Sequence, residues 1–305
     1  MRSISENVSL FVKGVMMGAA DAVPGVSGGT VAFITGIYQE LIESISKLDL
    51  KALSVLVKQG PRAFWHHING AFLCVLVSGI LTSLLLLSSA VLYALAQYPL
   101  LLWGGFFGLI TASTVVMARQ IEGWTPLGIL LFTLAALGAW QLSSLGSASV
   151  ELSYINVFIA GMLAICAMIL PGISGSFILL LLGMYAHILG AVKGLDIAVL
   201  VVFATGCAAG LLSFSKLLSW LFTCYRNLTL ALLTGFLLGS LAKVWPWKQV
   251  LSTRLNSKGV SVPDLQQNIS PWEFSALVAD PQLGGVLCAA LIGAIAVLAI
   301  EKVNK

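Results

Sequence analysis

What this chain lacks most is charge. Only 9% of its 305 residues are Asp, Glu, Lys or Arg, against about 25% in soluble globular domains. By contrast 59% are hydrophobic, and the mean hydropathy is +1.00. A soluble fold is excluded, and the composition is that of a polytopic membrane protein with apolar sequence for roughly six to eight helical elements at about 20 residues per span. The net charge of +4 is explained by positive membrane flanks and gives no reason to expect nucleic acid as a partner. Metal and disulfide chemistry are short of parts as well. The five cysteines (Cys74, Cys166, Cys207, Cys224 and Cys288) show no C-x-x-C spacing and read as small hydrophobic fillers. His66 and His67 have no acids at ligand spacing, so no metal site is expected.

The N-terminus loosely resembles a cleavable signal, with Arg2, an apolar run and Ala20-Asp21-Ala22. Lys13 interrupts the run and Pro24 follows at once, so the segment is expected to remain in the mature protein. From about residue 8 to 45 the chain is apolar but broken at Pro24-Gly25, where Pro ends one helix and Ser27 is placed to cap a second near Gly28. A polar, basic stretch follows, then expected spans near 69–96, 100–118 and 125–145. After a polar turn the pattern restarts: about 154–190 is apolar and broken at Pro171-Gly172, and spans follow near 197–222, 228–245 and 283–300. A polar loop of about residues 247–281 separates the last two.

The two halves align. VPGVSGGTVAFITGIY at 23–38 matches LPGISGSFILLLLGMY at 170–185 register for register, and GGFFGL at 104–109 resembles TGFLLGSL at 234–241. This is an internal duplication. The expected fold is an all-α polytopic membrane protein of two repeats, 1–150 and 151–305, each a broken re-entrant helix pair plus three transmembrane helices. If each pair returns to its own face, every half crosses the membrane an odd number of times and the second half is inverted. Of the 16 basic residues, Lys193, Lys243, Lys248, Arg254 and Lys258 then fall on one side and the other 11 on the cytoplasmic side, in keeping with the positive-inside rule. Both termini come out cytoplasmic.

Non-helical backbone at membrane depth is tolerated only inside protein or beside a wet cavity. Inverted repeats with broken helices are a recurring architecture of secondary transporters, which bind their substrates where the breaks converge. Each second half-helix here begins at a Ser-Gly step, with backbone N–H groups and the positive dipole end facing the break. Gly25, Gly28, Gly29, Gly172 and Gly175 would let a ligand approach the main chain, and Ser27, Thr30, Ser174 and Ser176 add hydroxyls. Together they suit a phosphate or a carboxylate. The bland alternative is that Pro-Gly kinks two packed helices and the serines satisfy freed carbonyls.

Among charged candidates, Asp21 lies beside the first break, with Met168 as its counterpart in the second copy. An intramembrane acid is a functional candidate by default. It either binds a coupling H+ or Na+, or fixes the loop by accepting N–H bonds or pairing with a base. Arg119 and Arg226 suit a phosphate through bidentate bonds and equally suit topology anchoring. Lys13 and Lys216 are either interior or snorkelling. Glu40 reads as a solvated helix end, and Trp103, Trp245 and Trp247 as an interfacial belt. No cofactor beyond a coupling ion is expected.

The paired PGVSGGT and PGISGS loops, their duplication and the WPW at 245–247 resemble the polyprenyl-phosphate transporter family called PopT, formerly a domain of unknown function. The resemblance covers nearly the whole chain. It implies a multi-pass protein of the bacterial inner membrane that binds undecaprenyl phosphate and flips it to the cytoplasmic leaflet, recycling the carrier lipid for peptidoglycan and envelope-polymer synthesis. A rival from another class is a lipid phosphatase, because undecaprenyl-pyrophosphate phosphatases of the BacA type share inverted repeats and a Pro-Gly-x-Ser loop. Their loop continues with Arg-Ser beside a Glu-rich motif, whereas Gly28-Gly29 and Gly175-Ser176 stand here. Without that arginine or an acid cluster, phosphoryl transfer is poorly equipped, and the expectation is that the chain is not an enzyme. A third reading is an ion-coupled carrier of a small soluble anion. Oligomeric state is not legible.

Overall fold

The computed structural model describes residues 2–21, 27–86, 88–144, 152–255 and 261–303. Within them lie sixteen helices and one two-stranded sheet. The first half comprises α1 (Ile4–Asp21), α2 (Gly28–Ile34), α3 (Tyr38–Ser46), α4 (Leu50–Gln59), α5 (Pro61–His67), α6 (Gly70–Leu86), α7 (Ser88–Gln97), α8 (Pro99–Arg119) and α9 (Pro126–Ser144). The second comprises α10 (Tyr154–Ile169), α11 (Gly175–Leu181), α12 (Tyr185–Gly194), α13 (Ile197–Cys224), α14 (Arg226–Val244), strands β1 (Lys248–Leu255) and β2 (Ser261–Asn268), α15 (Pro271–Leu277) and α16 (Leu283–Val303).

Among the described residues four helices are long and apolar enough to cross a membrane, namely α8, α9, α13 and α14. The number rises to six if the bent pairs α5–α6, at 71°, and α11–α12, at 113°, each count as one span. The chain is an integral membrane protein. The expected span at 69–96 is α6 followed by α7, and that at 283–300 falls within α16.

Three features differ from the sequence reading. The second half-helix of each broken pair is only seven residues long, because a second break follows in both copies. Gly36 (φ +74°) and Gly183 (φ +68°) sit there in the left-handed region, which glycine adopts without strain and which ends a helix. Thr35 reinforces the first stop, its hydroxyl donating to the Val31 carbonyl at 2.8 Å. Next, the fold is not wholly helical. The stretch read as a polar loop carries an antiparallel hairpin, paired from Lys248 with Asn268 to Leu255 with Ser261 and irregular between Val250 and Thr253. It also carries α15, whose start is a capping box of Ser270 and Glu273. Lastly, the basic stretch after residue 46 forms α4 and α5, with Asp49 capping α4 through the Lys51 and Ala52 amides.

Two kinds of helix pair hold the bundle. Within each half, α1 packs on α6 and α10 on α13. Between halves the partners are exchanged, α8 packing on α16 and α14 on α9. Small residues make these contacts close, as expected where lipid gives helices no hydrophobic reason to associate. A Cβ at Gly239 of α14 would lie 2.6 Å from the Ala139 Cβ of α9, and one at Gly104 of α8 would lie 2.9 Å from the Val286 carbonyl of α16. The largest apolar cluster forms beneath, from Leu10, Ile42, Phe72, Leu76, Ile110, Leu218, Leu233 and Leu237 among others.

Gly108 tests this packing, since a Cβ there would run into the Ala290 carbonyl, whereas a Cβ at Gly138 meets nothing within 4 Å. Gly108→Leu should lower stability in detergent by about 1–3 kcal/mol or more, and Gly138→Leu should leave the thermal midpoint in place. Equal midpoints for the two variants would remove the α8–α16 contact as a source of stability.

Candidate functional site

The first break is built by groups that tie α2 back along α1. Ser27 caps α2 in extended backbone, its hydroxyl oxygen accepting the Gly29 N–H at 3.1 Å. The Gly28 N–H donates to Asp21 Oδ1 at 2.7 Å. At the other end of α2, Lys13 Nζ donates to the Thr35 carbonyl at 2.9 Å. The acid therefore sits at the positive end of α2 and the base at its negative end, as the helix dipole favours. Because Asp21 is at the end of α1 and Lys13 two turns earlier, α2 runs antiparallel to α1. The excursion closes where it began: Arg2 forms an ion pair with Glu40 on α3, and Glu40 also accepts from Asn69 Nδ2 at 2.8 Å. Of the readings open for Asp21, the loop-fixing hydrogen bond is the one this geometry contains. Gly25 lies outside the described residues.

The second break has no acid. Pro171 follows α10, Gly172 is left-handed at φ +88°, and Ser174 caps α11 without a side-chain bond to it. The Ser174 and Ser176 hydroxyls instead bond each other at 2.8 Å.

The two breaks meet. Ser27 Oγ donates to the Met168 carbonyl at 2.9 Å, and the Gly172 N–H donates to Thr30 Oγ1 at 2.8 Å. These bonds join residues more than 140 positions apart. Gly29 serves this closure, while Gly28 and Gly175 let α2 lie against α1 and α11 against α10. A Cβ at Gly29 would lie 2.6 Å from the Ile169 carbonyl, one at Gly28 2.5 Å from Asp21 Oδ2, and one at Gly175 2.5 Å from the Ala164 carbonyl. The sequence reading gave that space to a ligand. In this structure it is filled by protein oxygens, because two broken helix ends have more polar groups to satisfy than either can satisfy alone.

Arg119 and Arg226 are not brought to the loops. Both are exposed, at the end where Asn227 Nδ2 donates to the Glu122 carbonyl at 2.6 Å. A Cβ at Gly172 would meet Ser240 on α14, fourteen residues beyond Arg226 and so about 21 Å away at 1.5 Å per residue. Lys216 is at the surface, 3.4 Å from Asp49.

A different base lies beside the second loop. Lys243, in the last turn of α14, shares a narrow cleft of about 10 Å³ with Gly172, Ser174, Phe177 and Ser143, room for roughly one water. Its ammonium is 4.0 Å from the centre of the Phe177 ring. Lys248 Nζ donates to the Lys243 carbonyl at 2.5 Å and lies 4.9 Å from the Trp103 ring centre. Burial, with the Lys243 ammonium adding to it, pushes Lys248 down to about 7. Sequence reasoning counted both lysines only as topology charges. The signal that could have found them is the WPW between them. Trp245 Nε1 donates to the Ile269 carbonyl at 2.8 Å and Trp247 Nε1 to the Pro281 carbonyl at 2.9 Å, folding Lys248 back over α14. Among the described residues no group of His, Cys, Asp and Glu could hold a metal ion.

This arrangement can be set beside known proteins. A family model described as VCA0040-like, undecaprenyl phosphate translocase-like, matches residues 17–262. A polyprenyl-phosphate transporter of Vibrio cholerae is 50% identical over 296 residues, 97% of this chain and 96% of that protein. A polyprenyl-phosphate transporter of Staphylococcus aureus is 34% identical over 256 residues, 77% of this chain and 85% of its own length. No solved structure matches. Extending across the loop contact, α8, α14 and the hairpin, these matches show that the chain belongs to the undecaprenyl phosphate translocase-like family.

Proposed function

We propose that this protein moves undecaprenyl phosphate between the leaflets of the bacterial inner membrane, returning the carrier lipid to the cytoplasmic face for envelope synthesis. Relatives named as polyprenyl-phosphate transporters support the substrate class. The proposed architecture is two inverted repeats, each a re-entrant pair plus three spans, with both termini cytoplasmic. The observation that carries the reading is the bonding of one break to the other through Ser27 with Met168 and Thr30 with Gly172.

Rocking of one half against the other must exchange these bonds, and each released N–H or hydroxyl then becomes a donor for the phosphate. The phosphate thus passes between the two Pro-Gly-x-Ser-Gly loops while the prenyl chain stays in the bilayer. Moving a charged head group needs no bond to be made or broken in it. Asp21 supplies the ion dependence in this scheme. A proton or Na+ at its carboxylate competes with the Gly28 N–H and loosens α2.

Purified protein in liposomes should deliver undecaprenyl phosphate to the opposite face without releasing phosphate from the pyrophosphate form. Phosphate release would make the protein an enzyme and end the translocase reading. Asp21→Asn keeps an acceptor for the Gly28 N–H and should leave the fold intact while flattening any H+ or Na+ dependence of transport. Asp21→Ala removes the acceptor and should in addition lower stability by about 0.5–2 kcal/mol, the usual loss for a cap. Unaltered ion dependence in Asp21→Asn would restrict this residue to fixing the loop.

A further inference from the structure

The end of α14 gathers three features that the loop contact leaves unused. The first is a pair of half-buried cations, Lys243 and Lys248, with no carboxylate partner for either among the described residues. Contacts with Phe177 and Trp103 and the negative end of α14 offset only part of what burying two ammonium groups requires. Each ammonium carries three donors, and the hydrogen bond to the Lys243 carbonyl accounts for one of them. The second feature is Ser174, which lines the narrow cleft with Lys243 and whose hydroxyl is bonded to that of Ser176.

The third is apolar. A groove of about 430 Å³ runs along α8, α9 and α14, walled by Phe107, Leu137, Trp140, Leu238 and Leu241. Leu137 and Trp140 are each 54% exposed on its rim, on a face that meets lipid chains in a membrane. A second hollow of about 350 Å³ beneath the hairpin shares Trp140 and Ala242 with the groove and Ser143 with the cleft. The hollow thus lies between the cleft of Lys243 and Ser174 and the apolar groove, sharing a wall with each.

We propose that this is a binding site for a lipid monophosphate, with Lys243, Lys248 and the Ser174 and Ser176 hydroxyls holding the phosphate and the groove along α8, α9 and α14 holding the first isoprene units. The inference rests on the transport reading and adds to it where the lipid waits before crossing between the loops. Phosphate supplies what the site is missing, an anion with oxygens enough for several N–H and O–H donors at once. Phe177, whose ring now lies on the Lys243 ammonium, is the stopper that swings aside as the phosphate enters. An amphiphile suits the site better than a free anion because the polar end is small and the apolar end is long and open.

The test uses the full chain in detergent and native mass spectrometry, with undecaprenyl phosphate, undecaprenol and inorganic phosphate as probes. Wild type should bind undecaprenyl phosphate at least tenfold more tightly than undecaprenol, and inorganic phosphate more weakly still. The double variant Lys243→Gln with Lys248→Gln should lose at least tenfold in affinity for the lipid phosphate. It removes two half-buried charges that no carboxylate offsets and so should fold at least as well as wild type. Arginine at both positions should restore binding. Leu238→Trp should weaken undecaprenyl phosphate while leaving the weaker binding of inorganic phosphate unchanged. A folded double Gln variant that binds undecaprenyl phosphate like wild type overturns the site. Inorganic phosphate binding as tightly as the lipid would make it a site for a soluble anion and overturn the lipid assignment. Transbilayer movement in the same variants separates the two readings. If wild type and the double variant both move and bind the lipid, the site is wrong and transport stands. If wild type neither binds nor moves it, both fall.

Discussion

Everything in this fold turns on backbone that is not helical in a place where water is scarce. A helix interrupted inside an apolar bundle exposes donors and acceptors, and each one left unpaired there is destabilising by roughly 1–3 kcal/mol. The protein solves this twice and with one device. Each break supplies what the other lacks: the Met168 carbonyl at the end of α10 takes the Ser27 hydroxyl, and Thr30 takes the Gly172 N–H. Asp21 and Lys13 complete the first break by closing both ends of α2. The second break has no such acid, because Met168 stands where Asp21 does in the first. Two breaks satisfied by one another form one hydrogen-bonded unit across the two halves of the chain.

The glycines follow from the same economy of space. At Gly28, Gly29 and Gly175 a Cβ would strike a carboxylate or a carbonyl, so these residues let the chain pass close to oxygens, and at Gly28 that brings the Asp21 carboxylate onto a main-chain donor. Along the helices, Gly104 and Gly239 do something different, letting α8 approach α16 and α14 approach α9 at backbone distance. One residue type thus serves hydrogen bonding at the centre and dispersion contacts around it.

Much of this was legible beforehand, and the pattern of what was not is instructive. The helices α8, α9, α13 and α14 were visible as apolar runs ended by proline, arginine or polar turns. The starts of α2 and α11 were visible in the Ser-Gly steps. Gly36 and Gly183 were seen to correspond but not to end a helix, because a glycine within an apolar run is equally compatible with continuing it until its φ is known. The hairpin was hidden by its polar composition, although the Ser270 and Glu273 capping pair beside it could have been found. Asp21 was recognised as an unusual acid, and acceptance of a main-chain N–H was among its expected roles, though which N–H it takes depends on how α2 folds back along α1. Lys243 and Lys248 escaped for a tertiary reason. Their burial depends on the hairpin folding back over α14, and on Phe177 and Trp103 arriving from distant parts of the chain.

The exchange of partners between halves bears on how such a protein is made. Ribosomes deliver helices to the membrane in order, and a unit that is complete in its own residues can fold before the next one emerges. Here neither half is complete. The glycine face of α8 has no cover until α16 has been synthesised, and α9 waits for α14. These seams are therefore closed late, from spans already inserted, when helices of the second half meet those of the first.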